Sequence, residues 1–260
     1  MNDETILFVR KEFGEPLRFR KRGVGVNATL HHGSILMRTI AFVTQKGGAG
    51  KSTLATNVAV AASLAGERVV LLDLDGSQST ASWAKVRGKS DVGVESIPAA
   101  KLARTMQALE KKGVTLVLID APGGMGAEFD AAVRAADLCV IPARPNAFDL
   151  WASEHTRARV KASGKDYAFL LNQCPPAPQS RRIQQGAKVL QAMGALLAPL
   201  VSARVDYQEA ARSGLAAVEC NPQGVAAHEM EELWLCLKRR LKKSAAKAPL
   251  RPAESTRKAA

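Results

Sequence analysis

The chain has 260 residues, 47% of them apolar, which is enough to bury the core of one large domain or two small ones. No run approaches the ~18 apolar residues that a spanning helix needs. Its four cysteines, Cys139, Cys174, Cys220 and Cys236, lie far apart without a C-x-x-C pair, which argues against a disulfide scaffold and fits reduced thiols in the cytoplasm. The net charge of +13 is uneven: residues 238–260 contribute +8 and residues 1–36 only +2, so the basicity belongs mainly to a tail.

Residues 1–36 give turn signals, Phe13-Gly14-Glu15-Pro16 and Lys21-Arg22-Gly23-Val24-Gly25, without a sustained period. They read as a weakly structured extension, or as sequence upstream of a start at Met37. The charged residues Asp3, Glu4, Arg10, Lys11 and Glu12 argue against a secretory signal. His31 and His32 lack nearby Cys, Asp or Glu, so no metal site is expected there.

From Met37 the pattern changes. An apolar strand, Thr39–Val43, runs into Thr44-Gln45-Lys46-Gly47-Gly48-Ala49-Gly50-Lys51-Ser52-Thr53, and a helical pattern follows through Leu54, Ala55, Val58, Ala61 and Ala62. Strand, glycine loop and helix make a phosphate site. Glycines let backbone N–H groups close on an anion, the helix points its positive end there, and Lys51 adds a full charge. Ser52 offers a hydroxyl to Mg²⁺. The usual phosphate loop has Gly five positions before Gly50; here that position is Gln45, and a second lysine, Lys46, follows it.

Further strands are predicted at Val69–Leu72 ending in Asp73, Val114–Ile119 ending in Asp120, Leu138–Ile141, Ala168–Leu171 ending at Asn172, and Leu196–Val201. Helical patterns cover Ala99–Lys111, Ala127–Ala136, Leu150–Ala162 and Arg181–Met193. This alternation predicts an α/β fold with a doubly wound, mostly parallel sheet and helices on both faces. Ligands in such sheets gather at the carboxyl ends of strands, where the motif residues fall. Asp73 and Asp75 leave one strand two residues apart and, if the extended conformation persists, point the same way, toward phosphate, metal and water. Asp120 closes a buried strand before Pro122-Gly123-Gly124, a form suited to holding a water on Mg²⁺. Gly123, Gly124 and Gly126 fit a switch loop. Residues 37–243 form the expected domain, and residues 244–260 a basic, disordered tail.

The Lys46-Gly-Gly-x-Gly-Lys51-Ser52 loop resembles the deviant-Walker ATPases of the ParA/MinD group, and the resemblance extends from Met37 to Leu241. It is strengthened by Asp73-Leu74-Asp75, by Trp83 and Arg87, and by Ile141-Pro142-Ala143-Arg144-Pro145-Asn146-Ala147-Phe148-Asp149-Leu150-Trp151, which is similar to small ParA partition ATPases. It implies a P-loop fold that binds ATP and Mg²⁺ through Lys46, Gly47, Gly48, Ala49, Gly50, Lys51, Ser52 and Thr53, with Asn172 reading adenine. Lys46 would cross to the nucleotide of a second copy, Asp75 would orient the attacking water, and Ser52, Asp75 and Asp120 would serve the metal. The resemblance further implies an ATP-dependent homodimer, non-specific DNA binding, slow hydrolysis stimulated by a ParB-like or other adaptor, and a nucleoid-associated cytoplasmic location. Arg204, Arg212, Lys238 and Arg239 are the DNA candidates. Phe148 and Trp151 are read either as core or as part of a contact region. The stripe Met230, Leu233, Trp234, Leu237 and Leu241, beside Lys238–Lys243, admits a MinD-like membrane reading or packing on the domain. A metabolic ATP-dependent ligase is a third alternative.

Overall fold

The computed structural model describes residues 36–177 and 180–247; the N-terminal extension with His31 and His32, and the tail beyond residue 247, lie outside the described residues. Six strands, β1 (Arg38–Thr44), β2 (Val69–Asp73), β3 (Gly93–Ser96), β4 (Leu116–Gly123), β5 (Leu138–Ala143) and β6 (Tyr167–Leu171), form one sheet in the order β3-β2-β4-β1-β5-β6. Every pairing is parallel. The helices are α1 (Lys51–Leu64), α2 (Ser79–Arg87), α3 (Leu102–Lys111), α4 (Ala127–Ala135), α5 (Ala147–Ala162), α6 (Arg181–Met193), α7 (Val205–Arg212), α8 (Ala217–Cys220) and α9 (Val225–Lys247).

The strands are apolar throughout because both faces are covered. Alternate residues enter opposite cores: Ile40, Phe42, Leu71, Leu118 and Val140 pack with α1 and α9, while Ala41, Val43, Leu72, Ile119 and Ile141 pack with α3, α4 and α6. β1 lies between β4 and β5, so the loop leaving its carboxyl end is flanked by the ends of both neighbours.

Four sequence expectations are corrected. β3 was not anticipated, because four residues with a glycine and a glutamate carry almost no periodic signal; it is an edge strand. Leu196–Val201 is not a ladder strand. Its backbone bonds β6 at both ends, Leu197 N–H to the Phe169 carbonyl and Val201 N–H to the Leu171 carbonyl, but Pro199 has no N–H to give between them. Helix α5 starts three residues before Leu150, because Asn146 accepts a hydrogen bond from the Asp149 N–H at 3.0 Å and caps it. Finally, α9 continues through Lys247, four residues into the expected tail, and Ser244 hydrogen-bonds Asp166.

The α9 stripe is core. Met230, Leu233, Trp234, Leu237 and Leu241 are all at most 5% exposed and face α1, so the packing reading replaces the membrane one. Among the described residues no helix is long and apolar enough to cross a membrane.

Candidate nucleotide site

The loop between β1 and α1 has the geometry that a phosphate needs. Gly48 and Gly50 adopt left-handed conformations, φ +76° and +86°, and no side chain caps the N-terminus of α1, whose first N–H groups remain open to an anion. Lys51 opens that helix. It is 7% exposed, and burial pulls its pKa down while Asp120 and Asp75 push it back.

The loop is braced from β6. Asn172 donates Nδ2 to the Ala49 carbonyl at 2.7 Å, and Gln173 donates Nε2 to the Gly48 carbonyl at 2.9 Å. With these carbonyls held by side chains, the N–H groups are free to face the other way. A Cβ on Gly50 would stand 2.4 Å from Asn172 Nδ2, so glycine is required by contact as well as by conformation. One of the two amide N–H groups of Asn172 thus serves the loop, which leaves its other N–H and its Oδ1 for the base contact that the resemblance implies. Gln173, itself left-handed at φ +51°, was not anticipated, and nothing in a strand-terminal Asn-Gln pair signals such a brace.

The carboxylates divide their work. Asp73 and Asp120 are paired in register on β2 and β4. Asp120 is 1% exposed, its Oδ2 has no hydrogen-bond partner, and burial pushes its carboxyl up to about 7 against the opposing hydrogen bond of Ser52. An unpartnered buried oxygen beside a hydroxyl fits a magnesium ion. No group of three or more His, Cys, Asp or Glu able to hold a metal occurs among the described residues; a magnesium ion held by Asp120 and Ser52 would need further oxygens from substrate and water.

Asp73 does something else. It is fully buried, and Oδ2 accepts from Thr80 N–H at 3.1 Å, Thr80 Oγ1 at 2.6 Å and Ala81 N–H at 3.3 Å, while Oδ1 accepts from Asp75 N–H at 2.9 Å. It anchors the N-terminus of α2. The expectation that both carboxylates share one direction fails because β2 ends at Asp73 and the chain turns. Asp75 is half-buried and stays in the electrostatic neighbourhood of Lys51 and Asp120.

Lys46 lies beside the loop, with Nζ 3.2 Å from Asp149 Oδ2 and 5.2 Å from the Phe148 ring centre. Asp149 is 2% exposed and also binds Arg144. Burial favours its neutral form, but hydrogen bonds from Arg144, Asn146 and Lys46 outweigh that and hold the carboxyl below its ordinary range. Phe148 and Trp151 are not core: they are 68% and 64% exposed and meet edge to face. Gly123, at the end of β4, touches the same loop, since a Cβ there would lie 3.1 Å from Gly47 N.

The DNA candidates are not brought together as one free patch. Arg204 pairs with Glu229 at 2.9 Å and Lys238 with Glu67 at 2.8 Å, whereas Arg212 and Arg239 are exposed. Trp83 and Arg87 serve packing: Trp83 Nε1 donates to the Leu215 carbonyl, and Arg87 is clasped by Asp91, Glu219 and the Gly214 carbonyl.

A phosphate loop at the carboxyl edge of an all-parallel sheet, with a buried acid opposite its serine, defines a P-loop nucleotide-binding domain. Residues 40–219 match the model of the CobQ/CobB/MinD/ParA nucleotide binding domain, and the chain belongs to that family. It is 38% identical over 142 residues to the Maintenance of carboxysome distribution protein A of Gloeobacter kilaueensis, covering 54% of this chain and 64% of that protein. It is 31% identical over 143 residues to the Chromosome-partitioning ATPase Soj of Thermus thermophilus, covering 44% and 57%. The matched stretches thus span less than two thirds of either relative. Among solved structures, the septum site-determining protein MinD of Pyrococcus horikoshii, complexed with Mg-ADP, superposes with a TM-score of 0.64 at 19% identity, covering 80% of this chain and 99% of that one.

Proposed function

We propose that this chain is a ParA-type switch ATPase: it binds ATP with Mg²⁺, pairs with a second copy, holds DNA non-specifically in that state, and is discharged when an adaptor stimulates hydrolysis to ADP and phosphate. The observation that carries the reading is the pairing of an open phosphate loop with a second lysine, Lys46, that is 35% exposed and held only by its ion pair to Asp149 and the exposed Phe148 ring. The names of the two relatives, one for carboxysome distribution and one for chromosome partitioning, support the positioning of large cargo, and the nucleoid in the cytoplasm is the location this reading assigns.

In this mechanism the N–H groups at the start of α1 and Lys51 hold the phosphates, and Thr53 follows Ser52 into the first turn. Ser52 and Asp120 are the residues that would hold magnesium, which supplies charge neutralisation to the phosphate oxygens. Asp75 orients the attacking water. Lys46 of the second copy offsets the charge that develops on the transferred group; comparable charges supplied in trans contribute on the order of 10³ to 10⁵ in rate. Hydrolysis therefore depends on pairing.

Sedimentation with a non-hydrolysable ATP analogue and magnesium tests the reading: the wild type shifts from one copy to two, and a persistent single copy refutes it. Duplex binding should require ATP and weaken with salt by a slope of roughly −0.9 per phosphate contact. The exposed Arg212 and Arg239 are the first contacts to examine.

A further inference from the structure

β5 runs beside β1 in parallel, with Phe42 opposite Val140, so the residue that leaves β5 emerges next to the chain entering the phosphate loop. That residue is Arg144. Asp149, fixed in the first turn of α5 by its Asn146 cap, accepts from it side-on, with Nε 2.9 Å from Oδ1 and Nη2 3.1 Å from Oδ2. A guanidinium used at those two nitrogens turns its third away from the carboxylate. Nη1 has no hydrogen-bond acceptor among the described residues, and it stands 4.0 Å from where a Cβ on Gly48 would lie. The side chain is 32% exposed, so a ligand can reach it.

Charge points the same way. Lys46 and Arg144 share the single negative charge of Asp149, which leaves this side of the loop with a net positive charge and an unused donor. The inner phosphates of a bound nucleotide collect at the Gly50 end, where α1 and Lys51 begin. Gly48 lies on the opposite limb, toward Lys46, so a phosphate extending beyond those held at the Gly50 end would meet this side of the loop.

We propose that Arg144 is a further nucleotide-binding residue, supplied by the same chain, whose Nη1 donates to the terminal phosphate of a nucleoside triphosphate in this loop. The inference rests on the nucleotide reading of the loop and adds to it a means of telling triphosphate from diphosphate. Asp149 then acts as a positioning residue, setting the guanidinium before the ligand comes.

The test is equilibrium binding of fluorescent ADP and of a fluorescent non-hydrolysable ATP analogue, both with magnesium, to wild type, Arg144→Ala and Arg144→Lys. Loss of one charge-assisted contact should weaken the triphosphate roughly tenfold or more in Arg144→Ala. ADP should change by less than about twofold. Arg144→Lys keeps an ion pair for Asp149 and so guards against misfolding; it should show the same selective loss at smaller size, with an unfolding midpoint near that of the wild type. Equal losses for both nucleotides, or none for either, overturn the role of Arg144 while leaving the loop reading intact. A wild type that binds neither nucleotide overturns the loop reading and this inference with it.

Discussion

Asp73 and Asp75 are carboxylates two residues apart at one strand end, and the structure gives opposite consequences for removing them. Asp73→Ala deletes an acceptor of four hydrogen bonds from a site with no solvent exposure. The N–H and hydroxyl of Thr80 are both buried and lose the carboxylate that accepts from them, at about 1–3 kcal/mol for each donor left unsatisfied. Losing the anchor at the start of α2 adds about 1 kcal/mol. Water entering at the half-exposed Ala81 and Asp75 recovers part of this, so the net destabilisation should be roughly 3–5 kcal/mol. Asp73→Asn keeps one acceptor oxygen and should fall between. Asp75→Ala removes a half-buried side chain that accepts a hydrogen bond from the exposed Ser77 N–H, so stability should move by less than about 1 kcal/mol while ATP turnover is lost. Denaturant unfolding of the nucleotide-free protein measures the first set, and steady-state phosphate release the second. The reasoning is wrong if Asp73→Ala unfolds at the wild-type midpoint, or if Asp75→Ala is as unstable as Asp73→Ala.

Other outcomes follow from the same geometry. Lys46→Ala should still bind ATP yet lose hydrolysis; unchanged turnover in the steady state defeats the assignment of Lys46 to the partner's nucleotide. Arg87→Ala strips a guanidinium whose side chain is 1% exposed from both Asp91 and Glu219 and should cost roughly 3–5 kcal/mol, read from the unfolding midpoint. Gly214→Ala forces a Cβ to 2.3 Å from the Arg87 backbone nitrogen at φ +64°, so it should destabilise the same junction although it changes no polar group. In flotation with anionic liposomes the protein should stay at the bottom with or without ATP, because the apolar stripe of α9 is already buried; co-flotation driven by ATP would require that helix to leave the core.

Much of this protein was legible before folding. Continuous apolar runs with acids or asparagine at their ends, alternating with helical patterns, fix a doubly wound parallel sheet, because a strand covered on both faces has no polar side to show. The phosphate loop was legible too, since its glycines, Lys51 and Ser52 act through backbone and charge within ten consecutive residues. Contacts between distant residues were not. Whether Asp73 serves metal or helix depended on where β2 stopped and on Thr80 seven residues later. The turn of Asn172 and Gln173 onto Ala49 and Gly48 joins residues more than 120 positions apart. The stripe of α9 has one sequence and two physically reasonable destinations, and only the apolar face of α1 opposite it settled which was used. Local chemistry determined what each segment can do; packing decided which of those capacities is already occupied, because a donor or an apolar face satisfied inside the fold has nothing left to offer a ligand or a membrane.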